Sequence, residues 1–208
     1  MASSSFRSPS SPSRPPQEVR IIGGQWKRTR LPVADRPGLR PTPDRVRETL
    51  FNWLGQDLGG WQVVDAFAGT GALGLEAASR GAAQVLLVEQ DAAQVDALRA
   101  LAQRLQAAAV KVQRGNAISV LQQLPPASQD LILLDPPFDA LLYDKALAAA
   151  VPALRPGGWL YLEAPTAWGE AQLAGSGLQA HRYLRAGAVH AHLLQKPATQ
   201  PEDPAAQS

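Results

Sequence analysis

Val63-Val64-Asp65-Ala66-Phe67-Ala68-Gly69-Thr70-Gly71-Ala72-Leu73-Gly74-Leu75-Glu76-Ala77 reads as a strand, a glycine turn and the start of a helix. Gly69, Gly71 and Gly74 match G-x-G-x-x-G, a weak nucleotide-binding fingerprint by itself and equally a tight turn with no ligand. Outward from this turn the pattern repeats. A second apolar run, Val85-Leu86-Leu87-Val88, ends in Glu89, about twenty residues on, where a ribose finds its carboxylate acceptor. A third candidate strand, Val110-Lys111-Val112-Gln113, leads into Gly115-Asn116-Ala117, and a further apolar run, Leu131-Ile132-Leu133-Leu134, into Asp135-Pro136-Pro137-Phe138. Apolar runs of this kind, separated by helical stretches, predict parallel strands buried on both faces. Each then ends in polar residues on one sheet edge, the edge where ligands bind in α/β folds.

The Asp-Pro-Pro-Phe stretch carries the more specific chemistry. Two prolines remove two backbone donors and hold the chain extended, so no helix starts at once. What remains is a platform with two acceptors, the Asp135 carboxylate and the Pro136 carbonyl, and one flat face, Phe138. Two acceptors suit an exocyclic amino group, and an aromatic face suits a base turned out of its stack. An ordinary strand exit with a solvated Asp is the plainer alternative. For the glycine turn, a nicotinamide dehydrogenase and a methyltransferase compete. Asp65, just before the glycines, would repel a pyrophosphate but could receive the amino group of a methionine. The chain has no Cys and no downstream His motif suited to hydride transfer. The residues therefore favour S-adenosyl-L-methionine, with S-adenosyl-L-homocysteine as product and no metal. The expected cofactor pocket comprises Asp65, Phe67, Gly69, Gly71, Glu89, Gln90, Asn116 and Ala117; the expected catalytic group is Asp135, Pro136 and Phe138.

Three further stretches carry a resemblance. Arg20-Ile21-Ile22-Gly23-Gly24-Gln25-Trp26, Pro37-Gly38-Leu39-Arg40-Pro41-Thr42 and Arg45-Val46-Arg47-Glu48-Thr49-Leu50-Phe51-Asn52-Trp53-Leu54, together with Asp65–Glu76 and Asp135–Phe138, are similar to the bacterial RsmD family. The likeness runs from about Arg20 to Pro165. It departs at Lys27-Arg28-Thr29-Arg30-Leu31, where the family has a glycine between basic residues. The resemblance implies a class I fold, a seven-stranded, mostly parallel sheet ending in an antiparallel hairpin. It also implies methylation of guanine N2 in 16S rRNA, at guanine 966, by a cytoplasmic monomer acting on free RNA or on the 30S subunit. Without it, adenine N6 or a glutamine amide would suit the same tetrapeptide.

Composition is compatible with that picture. The chain has 208 residues, 45% of them hydrophobic, enough for a sizeable core. Zero Cys excludes a disulfide scaffold. No apolar run is long enough to span a bilayer, so no membrane partner is expected. Net charge is +2, but residues 1–56 hold ten Lys/Arg against four Asp/Glu, a balance of +6. A basic segment ahead of an acidic body suits a polyanion, because bound cations release the counterions of its phosphates. Arg28, Arg30, Arg40, Arg45 and Arg47 are the expected RNA contacts.

Four segments follow: a disordered Ser/Pro-rich leader (1–17), a basic arm and helix (18–56), a cofactor-binding domain (57–196) and a flexible tail (197–208). Within the arm, residues 18–34 predict a hairpin broken at Gly23-Gly24, with Lys27–Arg30 resuming the strand. Thr42 as cap and Pro43 at the first position predict a helix with Val46, Leu50, Trp53 and Leu54 on its apolar side. Phe51 and Trp53 are expected to pack rather than to stack on bases. His181, His190 and His192 fall in the terminal hairpin as surface or packing residues, with no spacing that suggests a third metal ligand.

Overall fold

A computed structural model of the chain describes residues 19–32, 42–137 and 140–198. Its elements in chain order are β1 (Val19–Arg20), β2 (Arg30–Leu31), α1 (Asp44–Leu54), β3 (Gln62–Asp65), α2 (Ala72–Ser79), β4 (Gln84–Glu89) and α3 (Ala92–Arg104). There follow β5 (Val110–Arg114), α4 (Ala117–Gln123), β6 (Gln129–Leu134), α5 (Ala140–Ala150), β7 (Leu154–Ala164), α6 (Glu170–Leu173), β8 (Gln179–Ala186) and β9 (Val189–Gln195). Seven strands form one sheet in the order β5-β4-β3-β6-β7-β9-β8. The pairs among β3 to β7 are parallel, and β9 lies antiparallel between β7 and β8. This is the expected class I arrangement. The chain order reverses between β3 and β6, so the carboxyl ends of those two strands flank the crevice where such sheets bind ligands. Among the described residues, no helix is long and apolar enough to cross a membrane.

The apolar runs of β3, β4 and β6 are buried because helices cover both sheet faces. One core joins Val63, Leu87, Leu133 and Tyr161 of the sheet to Leu75 of α2, Leu50 and Phe51 of α1, and Val19, Ile21 and Leu31 of the arm. The other lies under α4 and α5 and includes Ile132, Leu134, Tyr143, Leu160 and Leu162. α2 is buried along its whole length, because the sheet takes one side and the arm the other.

The arm differs in detail from its expected form. β1 and β2 pair antiparallel at Val19↔Leu31 and Arg20↔Arg30, but residues 23–28 form turns, so Lys27–Thr29 do not resume a strand. Arg28 takes a positive φ of 71° there, and its N–H returns to the Ile21 carbonyl at 2.8 Å. α1 also starts one residue later than expected. Pro43 holds the cap position with extended backbone and Asp44 opens the first turn, where its negative charge suits the helix N-terminus. The buried stripe is Val46, Arg47, Leu50 and Phe51, rotated from the one expected. Phe51 is fully buried and Trp53 packs at the core's margin, as the sequence suggested. In β7 the register skips from Gln129↔Leu154 to Leu131↔Trp159, so Pro156-Gly157-Gly158 forms an irregularity inside the strand. His192 is a packing residue: it is buried, and its Nε2 accepts the Trp168 N–H at 2.9 Å.

Candidate active site

At the carboxyl edge of β3, β4, β5, β6 and β7 a cavity of about 360 Å³ opens. That volume falls in the usual range for a small-molecule site. Asp65, Phe67, Gly69, Glu89, Gln90, Asn116 and Ala117 line it, and Asp135 and Pro136 line it as well. Two groups of residues predicted for two roles therefore share one chamber. Gly71 does not line it. It sits at the N-cap of α2 with φ +76°, and a Cβ there would come within 2.6 Å of Leu98, so its part is to turn the chain. Phe138 and Arg40 lie outside the described residues.

The turn is fixed by polar contacts on both sides. Asp65 Oδ2 accepts the Gly74 N–H at 2.9 Å, which ties the end of β3 to α2. Glu89 at the end of β4 accepts the Gly69 N–H at 3.1 Å on one oxygen, and the Gln90 and Asp91 N–H groups on the other. Gln94 donates to the Gly69 carbonyl at 2.6 Å. The Asn116 side chain caps α4 by accepting the Ser119 N–H, which fixes Asn116 at the cavity wall.

Other residues line the cavity as well. Glu163 near the end of β7 is buried and lines the cavity, as do Thr42 and the hairpin-turn residues Ala188 and Val189. The Thr42 hydroxyl donates to Glu163 Oε1 at 2.6 Å, across 121 residues of chain, and Tyr161 donates to the same oxygen at 2.8 Å. Thr42 is thus not a helix cap. With Pro43 in the cap position, its side chain is free to reach the sheet. In sequence, Glu163 stands out only as an acid after the apolar run Trp159-Leu160-Tyr161-Leu162, the feature that marked Asp135.

Asp65, Asp135 and Glu163 consequently face one another at the ends of neighbouring strands. Asp65 is pushed up to about 7, by burial first and then by the Glu89 and Glu163 charges, against the Gly74 N–H that lowers it. Burial, then the Glu163 and Asp65 charges, hold Asp135 well above the usual carboxylate range. Burial raises Glu163 too, opposed by its bonds to Thr42 and Tyr161 and by the Arg47 charge. Asp65 Oδ1 is buried with no hydrogen-bond partner. An orphaned buried acceptor in an acid-lined chamber suits a cationic donor such as an α-ammonium group.

The basic residues expected to meet RNA separate. Arg28, Arg30 and Arg45 are exposed, the first two on the arm and the third on α1. Arg47 is not available to a polyanion. Its side chain has 0% exposure, and it donates to Glu76 at 3.4 Å, Asp44 at 2.6 Å and the Arg20 carbonyl at 2.8 Å. It lies three and four residues before Leu50 and Phe51, on the buried stripe, a position that its spacing could have revealed. Glu76 is the hub of that junction. It accepts the Ile22 and Gly23 N–H groups at 2.7 Å each and pairs with Arg80 at 2.9 Å. Among the described residues, no group of three His, Cys, Asp or Glu side chains is placed to hold a metal ion.

Comparison with known proteins identifies the family and agrees with the fold. The family described as Conserved hypothetical protein 95 matches residues 19–195. The Escherichia coli K12 protein named Ribosomal RNA small subunit methyltransferase D is 46% identical over 147 residues, which cover 71% of this chain and 72% of that protein. The Haemophilus influenzae protein of the same name is 39% identical over 151 residues, 70% of this chain and 78% of that one. The solved structure of Escherichia coli yhhF superposes with a TM-score of 0.77 at 39% identity, covering 87% of this chain and 99% of that one. The fold is that of class I methyltransferases, and the chain belongs to the Conserved hypothetical protein 95 family, the RsmD family that its amino-terminal motifs resemble.

Proposed function

We propose that this enzyme transfers a methyl group from S-adenosyl-L-methionine to the exocyclic N2 of a guanine in small-subunit ribosomal RNA, with guanine 966 as the target. One observation carries the reading. An acid followed by proline at the end of β6 opens into the same chamber as the glycine turn and Glu89, in a chain 46% identical to a small-subunit rRNA methyltransferase.

The residues present fit the cofactor. Glu89 retains acceptor capacity for ribose hydroxyls beside its backbone bonds, Asn116 and Ala117 stand at the wall suited to adenine, and Asp65 Oδ1 offers an unused acceptor to the ammonium group. When bound, the cofactor supplies an activated methyl on a sulfonium, so the protein needs neither a strong nucleophile nor a metal.

The obstacle lies in the acceptor. A guanine amino nitrogen shares its lone pair with the ring and becomes tetrahedral and positive as the methyl arrives. The Asp135 carboxylate and the Pro136 carbonyl accept its two N–H groups, aim the lone pair and stabilise the developing charge. Phe138 supplies the stacking face for the flipped base. The product ammonium then gives up one proton. That ammonium is acidic enough to lose its proton unaided, so Asp135 need not be a strong base.

The exposed Arg28, Arg30 and Arg45, with Arg40, bring the polyanion to this edge. Charge reversal at Arg28 and Arg30 should weaken RNA binding and flatten its salt dependence while leaving cofactor affinity intact. The deciding experiment is tritium transfer from labelled cofactor to rRNA from a strain lacking the modification, with the product nucleoside identified by mass spectrometry. N2-methylguanosine is the expected product. N6-methyladenosine would keep the mechanism and overturn the substrate, and tight NADH binding without cofactor affinity would end the reading.

A further inference from the structure

The β8–β9 hairpin takes no part in the chemistry above except through its turn, where Ala188 and Val189 line the cavity. Its composition is one-sided: residues 178–195 carry two Arg, three His and no Asp or Glu. Its register places Tyr183 opposite His192 and Arg185 opposite His190, and side chains two apart on one strand share a face. Tyr183 is 49% exposed, the large hydrophobic side chain left open to solvent among the described residues. It does not wave freely. Its hydroxyl shares a 2.7 Å hydrogen bond with His190 Nδ1, and its ring lies 5.8 Å from the His190 ring and 5.2 Å from that of His192.

The patch is continuous with the site. His192 holds the backbone of Trp168 at 2.9 Å, and the Trp168 ring lies 6.0 Å from Tyr143, a buried residue that feels the Asp135 charge. Contacts therefore run from Tyr143 ring to ring to Trp168, through the Trp168 backbone to His192, and from the His192 ring to Tyr183 on the outer face of the hairpin. Tyr183 lies three residues before the end of β8, about 10 Å from the turn at strand rise. A fixed aromatic face with Arg185 beside it, on a hairpin that carries no acid, complements a single nucleic-acid strand. Every base has a face to stack on, and Arg meets the phosphates.

We propose that the outer face of this hairpin, Tyr183 with Arg185 and His190, is a second nucleic-acid surface that holds the single strand flanking the target base. The proposal rests on the RNA reading of the site and adds to it a surface distinct from the basic arm. The test compares Tyr183→Ala, Tyr183→Phe and Arg185→Glu in the full chain, with unmethylated small-subunit rRNA transcribed in vitro as the probe. Tyr183→Ala should weaken RNA binding about tenfold, within the range for one base–aromatic contact, and raise the KM for RNA while kcat at saturating RNA stays put. Tyr183→Phe keeps the ring, loses only the His190 bond, and should bind like the parent. Arg185→Glu should lower the slope of log affinity against log salt by about one. Cofactor affinity by calorimetry should be unchanged in all three. Variants identical to an active parent would overturn the hairpin surface and leave the proposed function standing. A parent that binds neither this RNA nor the assembled subunit would overturn both. Effects seen only on assembled subunits, with naked RNA bound normally, would mean a protein contact and would also overturn the proposal.

Discussion

Glu76 and Asp65 are both buried carboxylates on either side of one glycine turn. Glu76 has donors on both oxygens: two backbone N–H groups of the arm and the guanidiniums of Arg47 and Arg80. Asp65 has the Gly74 N–H on one oxygen, no hydrogen-bond partner on the other, and two further acids, Glu89 and Glu163, close enough to raise its proton affinity. The same functional group thus serves two ends. Where the ledger of donors closes, the acid is a fastener. Where it is left open, the acid keeps an acceptor oxygen that no donor of the described residues occupies.

The sharpest way to break the comparison is to remove the fastener. Glu76→Gln leaves the buried Arg80 without its Glu76 counter-charge and Arg47 with Asp44 alone, and breaking a buried pair in this way costs roughly 3–5 kcal/mol. The arm should loosen first, visible as faster amide exchange at Ile22 and Gly23 and a lower Tm. Normal protection and stability would mean that Glu76 only looks like a hub.

Asp135→Ala probes the open group. It removes one acceptor for the amino group and one of three crowded acids, so methyl transfer should fall at least ~10²-fold while cofactor affinity stays within about tenfold. Single-turnover methylation at saturating cofactor reads it, and near-normal turnover would reject the site. On the cofactor's other side, Glu89→Ala should weaken its binding by about 1–3 kcal/mol in calorimetry, the scale for a buried polar group left unpaired.

The smallest effect concerns pH. Because the folded state raises Asp65 from 3.8 to about 7, it binds this proton more tightly than the unfolded chain does. Stability therefore falls as pH rises through that window, by about 1 kcal/mol between pH 6 and 8 for this group, and the penalty is complete above it. Asp65→Asn cannot ionise and should flatten that part of the slope in thermal melts of the cofactor-free protein. A slope as steep as the parent's would show that Asp65 is not ionising there.

What was legible in the sequence followed local rules. The β3 turn, Glu89 at the end of β4 and Asp135 at the end of β6 could be found because each follows an apolar run. Glu163 followed one too, but no motif marked it, and its partner Thr42 lies 121 residues away. The charge balance of the first 56 residues indicated a basic segment but could not say which arginines face outward. Arg47 went to the core because its helical position falls on the apolar stripe, where a long side chain can reach Glu76. Arg45, two residues earlier, stays outside.

The arm docks on α2 largely through its main chain. Ile22 and Gly23 give their N–H groups to Glu76, and Gln25 and Trp26 give theirs to the Ser79 carbonyl and hydroxyl. Gly24, with φ +71°, passes so close that a Cβ would lie 1.8 Å from the Ser79 carbonyl oxygen. Because those bonds come from backbone atoms, they constrain the path of the chain and say little about which side chains it carries. Selection could therefore rewrite the exposed residues from Lys27 to Arg30, tuning which nucleic acid the enzyme prefers, without having to re-evolve the way the arm is attached.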